Sequence, residues 1–186
     1  MFQELAMDIV DILNSRITNF TDKRAPISGQ LDGKESNAFE INIAINPLIA
    51  AATPLFILAK QLRKQSNCPD LVALKKALEH EVHAFENKAH QNGYRSQVIL
   101  GARYQLCSFI DEIISLTQWG KHHQWSQQGL LKTFQNENWG GERFFMILER
   151  CSEDAAIYID LLELGYLCLS LGYHGQYNQA EKFHDL

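Results

Sequence analysis

The sequence predicts an all-α fold, on three observations. Apolar residues recur at helical spacing through most of the chain, no run of period-two alternation is long enough for a strand, and only four prolines and eleven glycines interrupt the 186 residues. A domain of this length buries roughly two-thirds or more of the surface of its unfolded chain. With 46% hydrophobic residues, the chain is expected to fold as one domain without disulfides or metal.

The chain divides into four predicted parts. Residues 1–20 carry an apolar stripe centred on Ile9 and are expected to hold an N-terminal helix. Residues 21–45 lose this periodicity, are rich in Gly, Ser, Asp and Lys, and are predicted to be a flexible linker. The main helical domain is expected at 46–178, and a polar C-terminal tail at 179–186.

Within the main domain, caps and breakers set the predicted helix boundaries. Asn46 and Pro47 form an N-cap followed by proline at the first helical position, and Pro54 should bend or restart this helix. Trp119 and Gly120 break a long helix that is apolar on two stripes and therefore buried on two sides. Further helices or helical segments are predicted at 69–92, 94–117, 130–134, 142–150 and 154–171.

The last of these helices is apolar for about the length of a membrane span. It carries Asp160 and Glu163 near its middle, and each acid would cost a few kcal/mol in lipid. A core helix with two acids on one face is the preferred interpretation.

Charge and motifs exclude several function classes. The net charge of −5 offers no basic footprint for a phosphate backbone, so no nucleic-acid partner is expected and basic protein surfaces are better candidates. No strand-to-helix elbow, phosphate-binding loop or C-x-x-C pair is present. No cofactor is expected. The four cysteines are irregularly spaced and are predicted to be reduced apolar residues: Cys68, Cys107, Cys151 and Cys168.

A metal-dependent enzyme is the main alternative to a binding role. Glu79, His83, Glu86 and His90 could line up on one face of the 69–92 helix, and carboxylate with imidazole at such spacing can chelate a divalent ion. No second helix with a matching Glu-x-x-His motif supplies the rest of a di-metal site. A solvated face is therefore favoured, and no metal site is assigned.

The segment NENWGGERFF, residues 136–145, is interpreted as the start of a helix. With Gly140 as N-cap, Trp139 and Phe144 occupy the positions of a hydrophobic staple, and Glu142 places a negative charge in the first turn. If the ring of Trp139 is buried, its replacement by alanine should cost about 3 kcal/mol. Gly141 follows the cap without the lysine that a phosphate loop requires.

The adjacent acids Asp111 and Glu112 are the sharpest anomaly. Asp111 falls on an apolar stripe, where a charge must be paired or must face a cleft. Pairing with Arg103 or Arg143 and exposure in a recognition cleft are about equally favoured, and a general acid is a third possibility. A partner-binding cleft containing Asp111 and Glu112 is the hypothesis carried forward.

Four stretches in order carry a resemblance to a known family. They are NPLIAAATPL from Asn46, ARYQLCSFIDEIISLTQWG from Ala102, WSQQGLLKTFQNENWGGERFF from Trp125 and DLLELGYLCLSLGYHGQY from Asp160. Over about residues 46 to 177 the chain resembles the cytoplasmic domain of the DotU (also IcmH) and TssL family of bacterial secretion systems.

The resemblance implies a fold, a location and partners. It implies two small packed helical bundles, with about seven to eight helices, on the cytoplasmic face of the inner membrane. It also implies a C-terminal transmembrane anchor, expected beyond Leu186. The implied role is that of a non-enzymatic scaffold of a type VI or type IVB (Dot/Icm) system. The implied partners are an IcmF/TssM-like membrane protein and baseplate proteins of a type VI machine. The isolated domain is expected to be mainly monomeric or a weak homodimer.

By position, three family motifs fall on this chain. The I-D-E motif ends on Asp111 and Glu112, and the W-G-G-E motif contains Trp139, Gly140, Gly141 and Glu142. The L-G-[FY]-x-G-x-Y motif contains Gly172, Gly175 and Tyr177.

Two positions depart from the family pattern. Gln118 stands before Trp119-Gly120 where proline is often found, and Asn178 stands where a basic residue is usual. The first departure puts a turn geometry in doubt, and the second a contact near the C-terminus.

Overall fold

The computed structural model describes residues 46–68 and 70–179, and within these ranges the chain is helical without a strand. Seven α-helices are formed there, namely α1 (Pro47–Lys64), α2 (Leu71–Gln91), α3 (Ser96–Leu116), α4 (Gln118–His122), α5 (Leu130–Gln135), α6 (Gly141–Ser152) and α7 (Ala155–Ser170). Two short 3₁₀ helices lie at Trp125–Gln127 and Gly175–Gln179. The predicted all-α class is confirmed, whereas the N-terminal helix, the linker and the tail beyond 179 lie outside the described residues.

The start of α1 follows the predicted cap. The Asn46 side-chain oxygen accepts hydrogen bonds from the N–H groups of Leu48 (2.8 Å) and Ile49 (3.2 Å), and Pro47 occupies the first turn. These bonds satisfy N–H groups that have no partner within the helix. Pro54 lies inside α1, so a single helix forms rather than two.

The helix α3 is the centre of the domain. It packs against α1, α2, α4, α5, α6 and α7, while α1 also packs against α2 and α7, and α6 against α7. Its burial on two sides agrees with the two apolar stripes in the sequence. The helices therefore pack as bundles, as predicted, and α3 is shared among them.

The apolar helix α7 is part of this core. Ala155–Tyr177 is the one stretch of the described chain that is long and apolar enough to cross a membrane by composition. In the domain, however, Leu162, Leu164 and Cys168 are fully buried. Asn46 Nδ2 donates to the Glu163 carboxylate, and the Tyr94 hydroxyl donates to Asp160, at 2.8 and 2.6 Å. The two acids thus face protein partners, as expected for a core helix.

Candidate functional site

A cleft of about 230 Å³ lies where α3 faces the segment before α6. Both predicted acids, Asp111 and Glu112, line it, so the structure brings them together at one cavity. The remaining lining comes from the same face of α3 and from the loops around it: Ser108, Ser115, Leu116, Ser126, Leu131, Asn138, Trp139, Gly140, Tyr173 and Gly175.

Asp111 holds the start of α5 and the indole of Trp125. Its Oδ1 accepts hydrogen bonds from Trp125 Nε1 and Leu130 N, and its Oδ2 accepts one from Leu131 N, each at 2.8 Å. Burial raises the pKa of Asp111 from 3.8 to about 6, although these three donors act in the opposite direction. The carboxylate therefore supplies the acceptors that the first N–H groups of α5 lack within their own helix.

Neither arginine considered for Asp111 is its partner. Arg103 pairs with Glu86 at 2.7 Å, and Arg143 pairs with Glu137. The partners of Asp111 are a side-chain N–H and two main-chain N–H groups, which carry no net charge and leave no mark in a pattern of charged residues.

Glu112 anchors the opposite wall of the cleft. Its two carboxylate oxygens accept hydrogen bonds from His174 N (2.8 Å) and Gly175 N (2.7 Å), and its side chain is only 14% exposed. Two consecutive residues of α3 thus hold two different segments, α5 and the turn after α7. The acids define the shape of the cleft, and their role in recognition stays a prediction.

Trp139, one of the two residues of the predicted hydrophobic staple, is half-buried. It is 48% exposed, and its ring lies over Gly141, where an added Cβ would come within 2.2 Å of the indole. Phe144 instead is fully buried and packs against Tyr173, with ring centroids 4.2 Å apart. The condition of a buried Trp139 ring is therefore not met, and the ring contributes an apolar surface to the cleft.

The two glycines of the W-G-G-E motif allow close approach. Gly140 is the N-cap of α6, as predicted, and a Cβ there would lie 2.4 Å from Ser108 Oγ and 2.7 Å from a Leu131 methyl carbon. Glu142 lies in the first turn, where the helix dipole favours it. Gly140 thus lets the start of α6 pack against α3 and α5, and Gly141 leaves room for the Trp139 ring and for the main chain at Gln176.

The turn after α7 contains the third motif. Gly172 and Gly175 have φ values of +93° and +53°, a backbone region that favours glycine. Tyr173 is buried, and the ring of Tyr177 meets that of Phe145 edge to face at 4.9 Å. This turn delivers the two N–H groups that Glu112 binds.

The Trp119-Gly120 motif joins α4 to the end of α1. Trp119 is buried and its Nε1 donates to the carbonyl of Gln65 at 3.2 Å. A Cβ on Gly120 would lie 1.9 Å from the carbonyl oxygen of Ile114, so no side chain fits there. The helix forms with Gln118 at its first position, so proline is not required to form it.

Sequence reasoning missed two supports of the cleft. A Cβ on Gly129 would lie 2.6 Å from the Asp111 carboxylate, so glycine makes room for the cap of α5. The hydroxyl of Tyr104 donates to Glu137 at 2.7 Å, and Arg143 lies over the Tyr104 ring. Isolated tyrosines and glycines at these spacings carry no pattern that would have revealed either contact.

The proposed metal face is occupied by its own ion pairs. His83 Nδ1 lies 3.1 Å from Glu86, which also binds Arg103, and Glu79 accepts from Thr133. His90 is exposed one helical turn beyond Glu86. Across residues 46–68 and 70–179, no three His, Cys, Asp or Glu side chains are placed to hold one metal ion. The metal-enzyme alternative has no support in this geometry.

A larger groove of about 530 Å³ lies between α3, α6 and α7. It is bounded by apolar residues such as Leu100 and Met146, with Arg150, Glu153 and Asp154 at one end. None of the predicted site residues lines this groove, so the larger of the two cavities is not the one that contains the predicted site.

The described residues thus define an all-helical domain with a cleft held by contacts to main-chain N–H groups. The family model of the type VI secretion system protein DotU matches residues 47–186. The chain therefore belongs to the DotU family and is a subunit of a type VI secretion system. No curated protein sequence matches it.

Solved structures of TssL proteins share the fold. TssL from Vibrio cholerae is 35% identical over 74% of this chain and 88% of its own, with a TM-score of 0.64. The cytoplasmic domain of TssL from Acinetobacter baumannii is 26% identical over 70% and 84%, with a TM-score of 0.65. SciP/TssL from enteroaggregative Escherichia coli, at 22% identity over 71% and 77% and a TM-score of 0.61, shows the fold alone. The predicted family is confirmed.

Proposed function

We propose that this chain is a non-enzymatic scaffold subunit of the membrane complex of a type VI machine. In this role it is held at the cytoplasmic face of the inner membrane and binds an IcmF/TssM-like protein, with baseplate proteins as further partners. The family and its TssL relatives belong to type VI systems, which favours this type over the type IVB alternative. A transmembrane anchor following Leu186 is part of the proposal.

The observation that carries this proposal is how the cleft uses its acids. Asp111 and Glu112 direct all four of their carboxylate oxygens at N–H donors of the protein itself. A general acid or base needs an oxygen within reach of a substrate proton. These carboxylates hold the walls of the cleft, which supports recognition rather than catalysis.

The rim of the cleft offers the contact surface. Trp139 and Leu116 line it and are 48% and 49% exposed. Large exposed aromatic and aliphatic side chains beside a preformed cavity are typical anchors in protein–protein interfaces. We infer that the partner buries Trp139 and Leu116 when it binds.

The experiment is partner binding by the Trp139→Ala and Leu116→Ala variants. Because the Trp139 ring is half exposed, its removal should change the free energy of unfolding by no more than about 1 kcal/mol. Binding to the IcmF/TssM-like protein or to a baseplate protein, measured by co-purification, should fall at least tenfold. Secretion measured in cells should fall with it. A matched control replaces the exposed Met146 and Ile157, which lie outside the cleft.

Two outcomes would contradict the proposal. Wild-type binding by both cleft variants would remove the cleft as the partner site. A large drop in melting temperature for Trp139→Ala would instead restore a structural role for the ring.

A further inference from the structure

One end of the domain brings together the C-terminal turns of α1 and α7 and the short helix α4. Arg63 Nη2 donates to the carbonyl of Leu171 at 2.8 Å, and Trp119 Nε1 donates to that of Gln65 at 3.2 Å. These two contacts place the last turn of α1 between α4 and the point where the chain leaves α7.

Basic side chains are concentrated at this end. Lys60, Arg63 and Lys64 lie at i, i+3 and i+4 in α1, so they occupy neighbouring positions on its surface, and all three are exposed. Lys121 and His122 are exposed in the last turn of α4. We call these five residues the basic end.

The acids near the basic end are already bonded to main-chain N–H groups. Asp70 accepts from Ala73 N in the first turn of α2, and Asp111 and Glu112 bind α5 and the turn after α7. Their charges are partly offset by these donors, and Glu112 is largely buried. Lys60, Lys64 and Lys121 are exposed to solvent, and these three acids are directed at main-chain N–H groups rather than at the lysines.

The other end of α7 has the opposite sign. Glu149, Glu153 and Asp154 are exposed around the turn from α6 into α7 and outnumber the one arginine there, Arg150. A helix of 16 residues such as α7 is about 24 Å long, so the two charged regions are well separated. The two ends of α7 thus differ in charge, within a chain whose net charge is −5.

Exposed apolar side chains lie among the basic ones. Ile57 is 53% exposed and precedes Lys60 and Lys64 by about one and two turns of α1. Leu171, whose carbonyl Arg63 binds, is 40% exposed. Lysine and arginine mixed with aliphatic residues suit the headgroup region of a bilayer, where charges meet phosphates and apolar groups reach the acyl boundary.

We propose that the basic end lies against anionic phospholipid headgroups and orients the domain on the membrane. This inference rests on the proposed location at the inner membrane. The chain leaves α7 at this same end, so an anchor that follows would hold the basic end towards the bilayer. A negative leaflet attracts lysine and arginine near its surface, and the acidic end would point away from it.

The test is co-sedimentation of the full chain with vesicles at low ionic strength. The vesicles contain phosphatidylcholine alone, or phosphatidylcholine with a third of phosphatidylglycerol. We expect binding only to the anionic vesicles. The Lys60→Glu, Lys64→Glu, Lys121→Glu triple variant should lose roughly a hundredfold in partition coefficient, which corresponds to about 1 kcal/mol for each lysine.

The control is a triple variant of equal charge change away from the basic end, Lys88→Glu, Arg95→Glu, Lys132→Glu. All three are exposed. It should retain most of the binding, and both variants should keep the far-UV circular dichroism of the parent. An equal loss in both triple variants would mean attraction by net charge alone and would overturn the inference, as would an absence of binding to anionic vesicles.

The outcomes separate this inference from the proposed function. A chain that ignores anionic vesicles but still forms the complex with the IcmF/TssM-like partner overturns the lipid surface alone. A chain that binds vesicles through these lysines but forms no such complex overturns the scaffold role and leaves the lipid surface standing.

Discussion

At the scale of single residues, the cleft depends on carboxylates that bond to N–H groups. Asp111 is the most constrained of them, since burial raises its pKa while three donors stabilise its charged form. The folded chain holds the proton more tightly than the unfolded chain, because the pKa rises from 3.8 to about 6. The contribution of Asp111 to stability is therefore complete below pH 3.8 and is lost as the pH rises through 6.

We predict that Asp111→Asn removes this pH dependence. As the pH falls from 6 to 4, the proton on Asp111 should raise the free energy of unfolding by about 1.4 kcal/mol for each pH unit. Urea unfolding across pH 4 to 8 measures the difference in the free energy of unfolding between the wild type and the variant. The contribution of the other carboxylates cancels in this difference. A difference that stays constant with pH would show that the pKa of Asp111 is the same in both states.

Gln105 is a second residue whose chemistry opposes its burial. It is fully buried in α3, and within the described residues neither its Oε1 nor its Nε2 has a hydrogen-bond partner. An amide in this position loses its bonds to water without replacement, at a cost of about 1–3 kcal/mol.

We predict that Gln105→Leu raises the melting temperature. Leucine has a similar size and no polar atoms to desolvate, and the stabilisation should be about 1 kcal/mol. Thermal unfolding followed by circular dichroism measures it, with Gln97→Leu, an exposed position on the same helix, as the control. A lower melting temperature would mean that the amide is bonded in solution.

At the scale of elements, the loops are set by close contacts between helix ends. The short helix α4 folds back on the end of α3 because Gly120 leaves room for the carbonyl of Ile114. Thr117 assists, since its hydroxyl accepts from Gly120 N at 2.9 Å and caps α4. Main-chain atoms cannot move aside as a flexible side chain can.

We predict that Gly120→Ala destabilises the domain by about 2 kcal/mol or more, because α4 must shift to relieve the overlap. The control is Gly101→Ala, where the added carbon would meet only side-chain atoms, the nearest a Leu161 methyl carbon at 3.0 Å, and where alanine favours the helix. Chemical unfolding of both variants compares the two costs. Equal stability of Gly120→Ala and the wild type would show that α4 is not held in this arrangement.

At the scale of the whole molecule, the proposed anchor determines how copies meet. Confinement to a membrane raises the local concentration of weakly associating domains without any new contact. The apolar stretch Ala155–Tyr177 contains α7 and the turn after it, and Leu162, Leu164 and Cys168 of α7 are buried in the domain, so this stretch is already used by the fold.

We predict that the 186-residue chain is a monomer or a weak dimer in solution, and that the anchored protein self-associates. Sedimentation equilibrium across a range of concentrations gives the mass of the first. Cross-linking in membranes measures the self-association of the anchored protein, in which the gene is extended past codon 186 into about 20 apolar residues. A tight dimer of the isolated chain would place self-association in the domain itself.

The sequence by itself determined the family and six of the seven α-helices of the described residues; the exception is α4, which forms at Trp119-Gly120, where only a break was predicted. Helix periodicity and caps are local, so Asn46, Asp70 and Gly140 marked the starts of α1, α2 and α6 within a residue or two. The four family stretches are likewise read along the chain. The helix patterns and the family motifs each involve residues that are close together in the sequence. They can therefore be recognised without knowing how the chain folds back on itself.

Only the tertiary structure decided what the site residues do. The donors to Asp111 come from 14 to 20 residues away and those to Glu112 from more than 60, and main-chain N–H groups are present at almost every position. The sequence therefore suggested arginines as partners of Asp111, because a charged side chain can be identified from the sequence whereas a hydrogen-bonded main-chain N–H group cannot. The sequence could not decide the exposure of Trp139 for the same reason. A ring beside two glycines can turn inwards or lie over them, and the packing of α6 against α3 leaves the Trp139 ring lying over Gly141.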